Sequence, residues 1–136
     1  MGNKIRYLNT DLELVSASDL TSLVSVFEAM DLCILHCAQY DRLWYATLEV
    51  SSQYDEPEAT IAEMLAVIES LDRDSRAIWN SCTKREFDIG YECSQSSKPV
   101  QQNLSSQLLN RIATVNASLG ITLYSTLTSE EPVSTR

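Results

Sequence analysis

Between Lys84 and Cys93 the apolar residues Phe87, Ile89, Tyr91 and Cys93 alternate strictly with Glu86, Asp88, Gly90 and Glu92. A repeat of two residues sends successive side chains to opposite sides of an extended backbone, so the stretch predicts a strand with one dry face and one acidic face. A helical pattern and a last strand, Ile121 to Thr126, follow it. The Lys84–Cys93 strand is therefore expected inside a sheet, with the other elements built around it.

Upstream, Ile5, Tyr7, Leu12 and Leu14 are separated by polar residues and interrupted by Asn9-Thr10-Asp11, which reads as one strand bent at a bulge or as two short pieces. Ser16 and Ser18 offer caps for a helix from about Asp19 to Met30 with the stripe Leu20, Leu23, Val24, Phe27 and Met30. Dense β-formers then predict a hairpin with arms Leu32 to Tyr40 and Leu43 to Ser51, without the usual Asn-Gly turn. On the first arm Cys33, Leu35 and Cys37 fall on one face and Ile34, His36 and Ala38 on the other. On the second, Trp44, Ala46, Leu48 and Val50 form the drier face, against Tyr45, Thr47 and Glu49.

Pro57 suits the first turn of a second helix, and the acids before it suit the positive end of the helix dipole. Its stripe is Ile61, Met64, Leu65, Ile68 and Leu71, and Thr60-x-x-Glu63 is an alternative capping box. Asp72-Arg73-Asp74 breaks or bends this helix before a short one from Ser75 to Ser81. After the acidic strand and a polar loop, Asn103 is placed to cap a helix with the stripe Leu104, Leu108, Leu109, Ile112, Val115 and Leu119, and Gly120 to end it. The order β-α-β-β-α-α-β-α-β predicts an α+β fold related to the split β-α-β plan. Its sheet is mixed or antiparallel with four to five strands, and three main helices pack on one face. Residues 1–126 read as a single domain, and 127–136, rich in Ser, Thr, Glu and Pro, as a flexible tail.

Charge narrows the function. Nineteen acids against ten Lys and Arg give a net charge of −9, concentrated between Asp55 and Asp74. Such a surface repels nucleic acid and anionic membrane and attracts a basic protein. Met1–Arg6 is not followed by an apolar signal segment, and no apolar run reaches membrane-spanning length, so a cytoplasmic location is expected. The four cysteines read as buried free thiols.

Motifs for chemistry are sparse. Three glycines, widely separated, make no phosphate-cradling loop, and there is no Gly-x-Ser-x-Gly elbow. Cys33, His36 and Cys37 suggest zinc, but alternation sends His36 away from the two cysteines. No catalytic residue, metal or cofactor is assigned. Glu86, Asp88 and Glu92, spaced ~7 Å per two residues on one strand face, fit a solvated face, a surface for a basic partner, or paired acid–base work. Glu49 can join them from the hairpin. Tyr45 and Tyr54, with Asp55 and Glu56 following, add aromatic and acidic surface of the kind found at protein interfaces. The candidate partner-binding set is thus Tyr45, Glu49, Tyr54, Asp55, Glu56, Glu86, Asp88 and Glu92.

Two stretches carry a resemblance. Tyr54-Asp55-Glu56-Pro57 leading into Ala62–Leu71, and Arg85–Cys93 leading to Leu104–Leu109 and Ala117–Tyr124, resemble small uncharacterised bacterial α+β proteins. The second half is similar to domain-of-unknown-function families that occur among candidate immunity proteins of bacterial toxin systems. The resemblance covers about two thirds of the chain and brings no catalytic residues. With the acidity, it implies a non-enzymatic binding domain, an immunity-type inhibitor of a basic toxin or effector. Two other readings stay open: a small enzyme or ligand-binding domain using the carboxylate face, and a homodimerising module with a self-complementary free sheet face.

Overall fold

The computed structural model describes residues 5–94 and 98–125. The elements are β1 (Arg6–Ser16), α1 (Thr21–Ala29), β2 (Leu32–Tyr40), β3 (Leu43–Val50), α2 (Pro57–Glu69), α3 (Arg73–Ser81), β4 (Lys84–Cys93), α4 (Ser106–Thr114) and β5 (Ser118–Ser125). The expected α+β order holds, and the strands form one five-stranded mixed sheet in the order β2-β3-β1-β4-β5. All neighbours are antiparallel except β4 and β5, whose parallel pairing needs the crossover that α4 supplies. The acidic strand β4 is internal, while β1 occupies the centre. The expected tail, 127–136, lies outside the described residues.

The core forms where one sheet face meets the helix stripes. Leu12, Leu14, Leu48 and Phe87 from the sheet, and Leu23, Phe27, Ile61, Met64, Leu65, Ile68 and Trp79 from the helices, are fully or almost fully buried. Phe27 and Trp79 meet edge to face with centroids 6.3 Å apart, and Trp79 Nε1 donates to the Val115 carbonyl at 3.0 Å. On β4 Phe87 and Ile89 are buried as the alternation requires, whereas Tyr91 and Cys93 are half-buried toward the strand end.

Two bulges interrupt the strands: the one in β1 is the bend that its sequence offered, placed before Asn9 rather than within Asn9-Thr10-Asp11, and the one in β2 alters the expected faces. The β1–β4 register shifts between Tyr7 and Asn9, so β1 is one strand with Leu8 as the extra residue, and Asn9-Thr10-Asp11 continues it. The β2–β3 register shifts between Ile34 and His36, with Leu35 the extra residue. A single inserted residue inverts the alternation beyond it. Cys37 therefore joins Leu32 and Ile34 on the helix side, and His36 and Ala38 join Cys33 on the opposite side. The thiols follow: Cys82 is buried and Cys37 and Cys93 are half-buried, but Cys33 is exposed.

Local capping also departs from the sequence reading. Asp19, not Ser16 or Ser18, receives the Thr21 backbone N–H at 2.7 Å at the start of α1. Asp72 ends no helix; its carboxylate accepts from Ser75 N at 2.8 Å and caps α3. Ser105, rather than Asn103, caps α4 by accepting from Leu108 N at 3.1 Å, while the Glu58 carboxylate accepts from Ser105 N and Oγ. α4 stops at Thr114 because Asn116 turns the chain in the left-handed region at φ 61°. Leu119 and Gly120 consequently belong to β5. Gly120 serves a close approach there, since a Cβ would collide with the Glu86 carboxylate. At the hairpin tip Asp41 and Arg42 adopt φ 51° and 71°, a two-residue left-handed turn achieved without glycine.

Candidate functional site

The sheet face opposite the core is built by the residues that alternate with the buried ones. From β1 it receives Asp11 and Glu13, from β3 Tyr45, Thr47 and Glu49, and from β4 Lys84, Glu86, Asp88 and Glu92. Register puts Asp11 directly opposite Asp88 and Glu13 directly opposite Glu86. Like charges facing each other across antiparallel strands destabilise a sheet. Neutral donors hold the carboxylates in place. Asn9 Nδ2 donates to Asp11 at 3.1 Å and to Glu49 at 2.9 Å, Thr47 Oγ1 to Glu13 at 3.1 Å, and Thr122 Oγ1 to Asp88 at 2.7 Å.

Two cations touch the face, and Lys84 also acts on Glu13 and Asp88 through its charge. Lys84 pairs with Glu86 at 3.0 Å and Arg6 with Glu92 at 2.6 Å. Among the described residues Asp11, Glu13, Glu49 and Asp88 have no ion pair. The effect concentrates at Asp11, whose carboxyl is pushed up to about 6 by partial burial first and then by Glu13, Glu49 and Asp88, against the opposing Asn9 hydrogen bond. Toward the hairpin tip the same face becomes aromatic. His36 stacks on Tyr40 at 5.8 Å with planes 5° apart, and Tyr40 meets Tyr45 at 5.8 Å.

The sequence-predicted set divides in two. Tyr45, Glu49, Glu86, Asp88 and Glu92 share the open face, with Glu92 engaged by Arg6 at its far end. Tyr54, Asp55 and Glu56 instead lie where β3 turns into α2. Tyr54 donates to Glu63 at 2.6 Å, which raises the phenol pKa, and Glu56 precedes the first turn of α2. Tyr54 and Asp55 line a cavity of about 610 Å³ with Tyr7, Asn9, Glu49 and Gln102, among others. Its floor includes Tyr7 and the buried hydroxyls of Thr10 and Thr60, joined at 2.7 and 2.9 Å.

Asp11 and Glu13 complete the acidic face and were missed in the sequence, although Leu12 and Leu14 alternate with them. The polar triplet Asn9-Thr10-Asp11 hid that alternation by looking like a break. Comparison with family models, curated proteins and solved structures finds no match to this chain. The fold and site thus define a class by geometry alone: an α+β domain with helices on one sheet face and an acidic, aromatic-ended opposite face.

Proposed function

We propose that the chain is a non-enzymatic binding domain whose open sheet face masks a basic protein surface, in the manner of an immunity-type inhibitor of a bacterial toxin or effector. The observation that supports it most is the pairing of Asp11 with Asp88 and of Glu13 with Glu86 at directly opposed positions. An arrangement that costs the isolated fold stability is recovered when Lys or Arg side chains of a partner dock between the carboxylates. The adjoining His36, Tyr40 and Tyr45 supply low-entropy aromatic contact area at the rim.

The reading is tested by affinity capture from the native host with the wild-type chain and with an Asp11→Asn, Glu13→Gln, Asp88→Asn variant. The expected result is a basic protein retained by the wild type at low salt, released at high salt, and lost by the neutralised variant. Recovery of no protein, or equal recovery by both baits, overturns the reading.

One observation favours a ligand-binding alternative: Glu49 lines the cavity at the β3–α2 junction. Glu86, Asp88 and Glu92 are not part of its lining, so the β4 carboxylates stand outside the cavity, while Asn9 and Glu49 border both surfaces. Face-to-face self-association through the open face is disfavoured, because it would set one acidic array against another.

A further inference from the structure

Where β3 ends, the sheet opens. β1 pairs with β3 from Leu12 opposite Leu48 to Ser16 opposite Trp44, whereas its stretch from Arg6 to Asn9 has a ladder partner in β4 alone, and residues 51–55 leave the sheet toward α2. The cavity of about 610 Å³ lies in the resulting gap, a size within the about 300–1,000 Å³ of small-molecule sites. The proton count orders its hydrogen bonds. The single Tyr7 phenol proton goes to Thr60 Oγ1 at 2.9 Å, so at its 2.7 Å contact with Thr10 the tyrosine accepts, and Thr60 Oγ1 donates in turn to the Glu56 carbonyl at 3.4 Å. Asn9 Nδ2 donates to Asp11 and Glu49, and Tyr54 donates to Glu63. What these lining side chains have left to offer a ligand is lone pairs, while Gln53 adds an amide that serves either role. Glu49 and Asp55 bring two carboxylates that have no ion pair among the described residues, whereas Arg6, also on the wall, gives its guanidinium to Glu92 outside it.

We propose that this cavity binds a small organic dication whose charge sits on N–H groups, a diamine or an amino-guanidine. Such a ligand supplies donors to the wall's unused acceptors, and its two charges match Glu49 and Asp55. Tyr7 and Tyr54, in the same lining, bring aromatic surface that attracts a cation and packs the carbon chain between the charged ends. An anion would meet two unpaired carboxylates, and a quaternary ammonium would bring charge without a donor. The buried hydroxyls of Thr10 and Thr60 are already fixed by Tyr7, so they need no reordering to receive the ligand. This ligand class rests on the ligand-binding reading of the cavity and is independent of whether the open face masks a basic protein.

Isothermal titration calorimetry of the purified full chain with agmatine, a guanidinium and a primary ammonium joined by a short carbon chain, tests the proposal. One saturable site per chain is expected, with a Kd below about 1 mM. The bis-trimethylammonium compound of equal chain length carries the same charge but no N–H, and it is expected to bind about tenfold more weakly or worse. Asp55→Asn and Glu49→Gln should each weaken agmatine binding about tenfold or more, while Asp74→Asn, which removes the same charge near the start of α3, should leave it unchanged. Asp55 lies off the open face, so its variant separates the cavity from the acidic array, and Glu49→Gln serves should that variant not fold. No saturable binding at millimolar agmatine overturns the proposal. So does equal affinity for the bis-trimethylammonium compound, equal weakening by Asp74→Asn, or wild-type affinity in the folded cavity variants. None of these outcomes bears on capture of a basic protein by the open face, whose neutralised variant leaves Asp55 intact.

Discussion

Asp11→Asn is expected to stabilise this protein at neutral pH and to do nothing in acid. The central carboxyl is raised from 3.8 to about 6 in the folded chain, with partial burial the largest cause and Glu13, Glu49 and Asp88 following. A raised carboxyl pKa means that the folded state holds this proton more tightly than the unfolded state does. Stability therefore falls as pH rises through the window from about 4 to about 6, and the penalty is fully present above it. The interval between 3.8 and about 6 corresponds to about 3 kcal/mol at 1.36 kcal/mol per pH unit. Asp11 is partly open to solvent, and screening reduces this to about 1–2 kcal/mol. Asn preserves the shape and can still accept from Asn9, so the substitution removes the charge and little else. Urea unfolding at pH 7.5 should give a higher midpoint for the variant, and the two proteins should converge near pH 4. Added salt should narrow the gap at pH 7.5. A variant no more stable than the wild type at pH 7.5, or a gain of equal size at both pH values, would refute the electrostatic account of the open face.

Two further perturbations test the frame that holds this face. Ile89→Ala empties a buried position on the dry side of β4 and should cost about 2–5 kcal/mol, read from denaturant midpoints; an unchanged midpoint would remove Ile89 from the core. Arg85 donates to the carbonyls of Trp79 and Cys82 at the end of α3 and of Asn116 beyond α4, tying two helix ends to the sheet. Arg85→Met should cost about 2–3 kcal/mol, and Arg85→Lys should restore less than half of it, because an ammonium cannot span three carbonyls fixed for a planar fork. Equal stability of the Lys variant and the wild type would count against that geometry.

The strictest sequence pattern proved the most legible. The alternation of β4 predicted its buried and acidic faces, and the helical stripes of α1 and α2 predicted the residues that seal the core. Legibility failed where one residue changes the phase. Leu35 and Leu8 look like ordinary members of their strands, and nothing local marks either as the extra residue. Only pairing with β3 or β4 leaves it unmatched. The leucine stripe of α4 runs on to Leu119 in sequence, yet the helix yields at Asn116 because Ser118 onward gains a strand partner in β4. Gly120 shows the same limit. As the last glycine of a helical pattern it reads as a terminator, whereas its lack of a side chain accommodates Glu86 from the neighbouring strand.

By itself, then, the sequence determined the α+β order, the faces of β4 and the acidity of the surface, because repeat period and composition act through neighbours along the chain. Only the tertiary structure decided that β1 lies at the centre of the sheet, that Asp11 and Glu13 confront Asp88 and Glu86, and that β5 forms one edge beside β4. Those are relations between strands far apart in sequence, set by which pairings bury the shared apolar face, and no local pattern encodes which strand stands next to which.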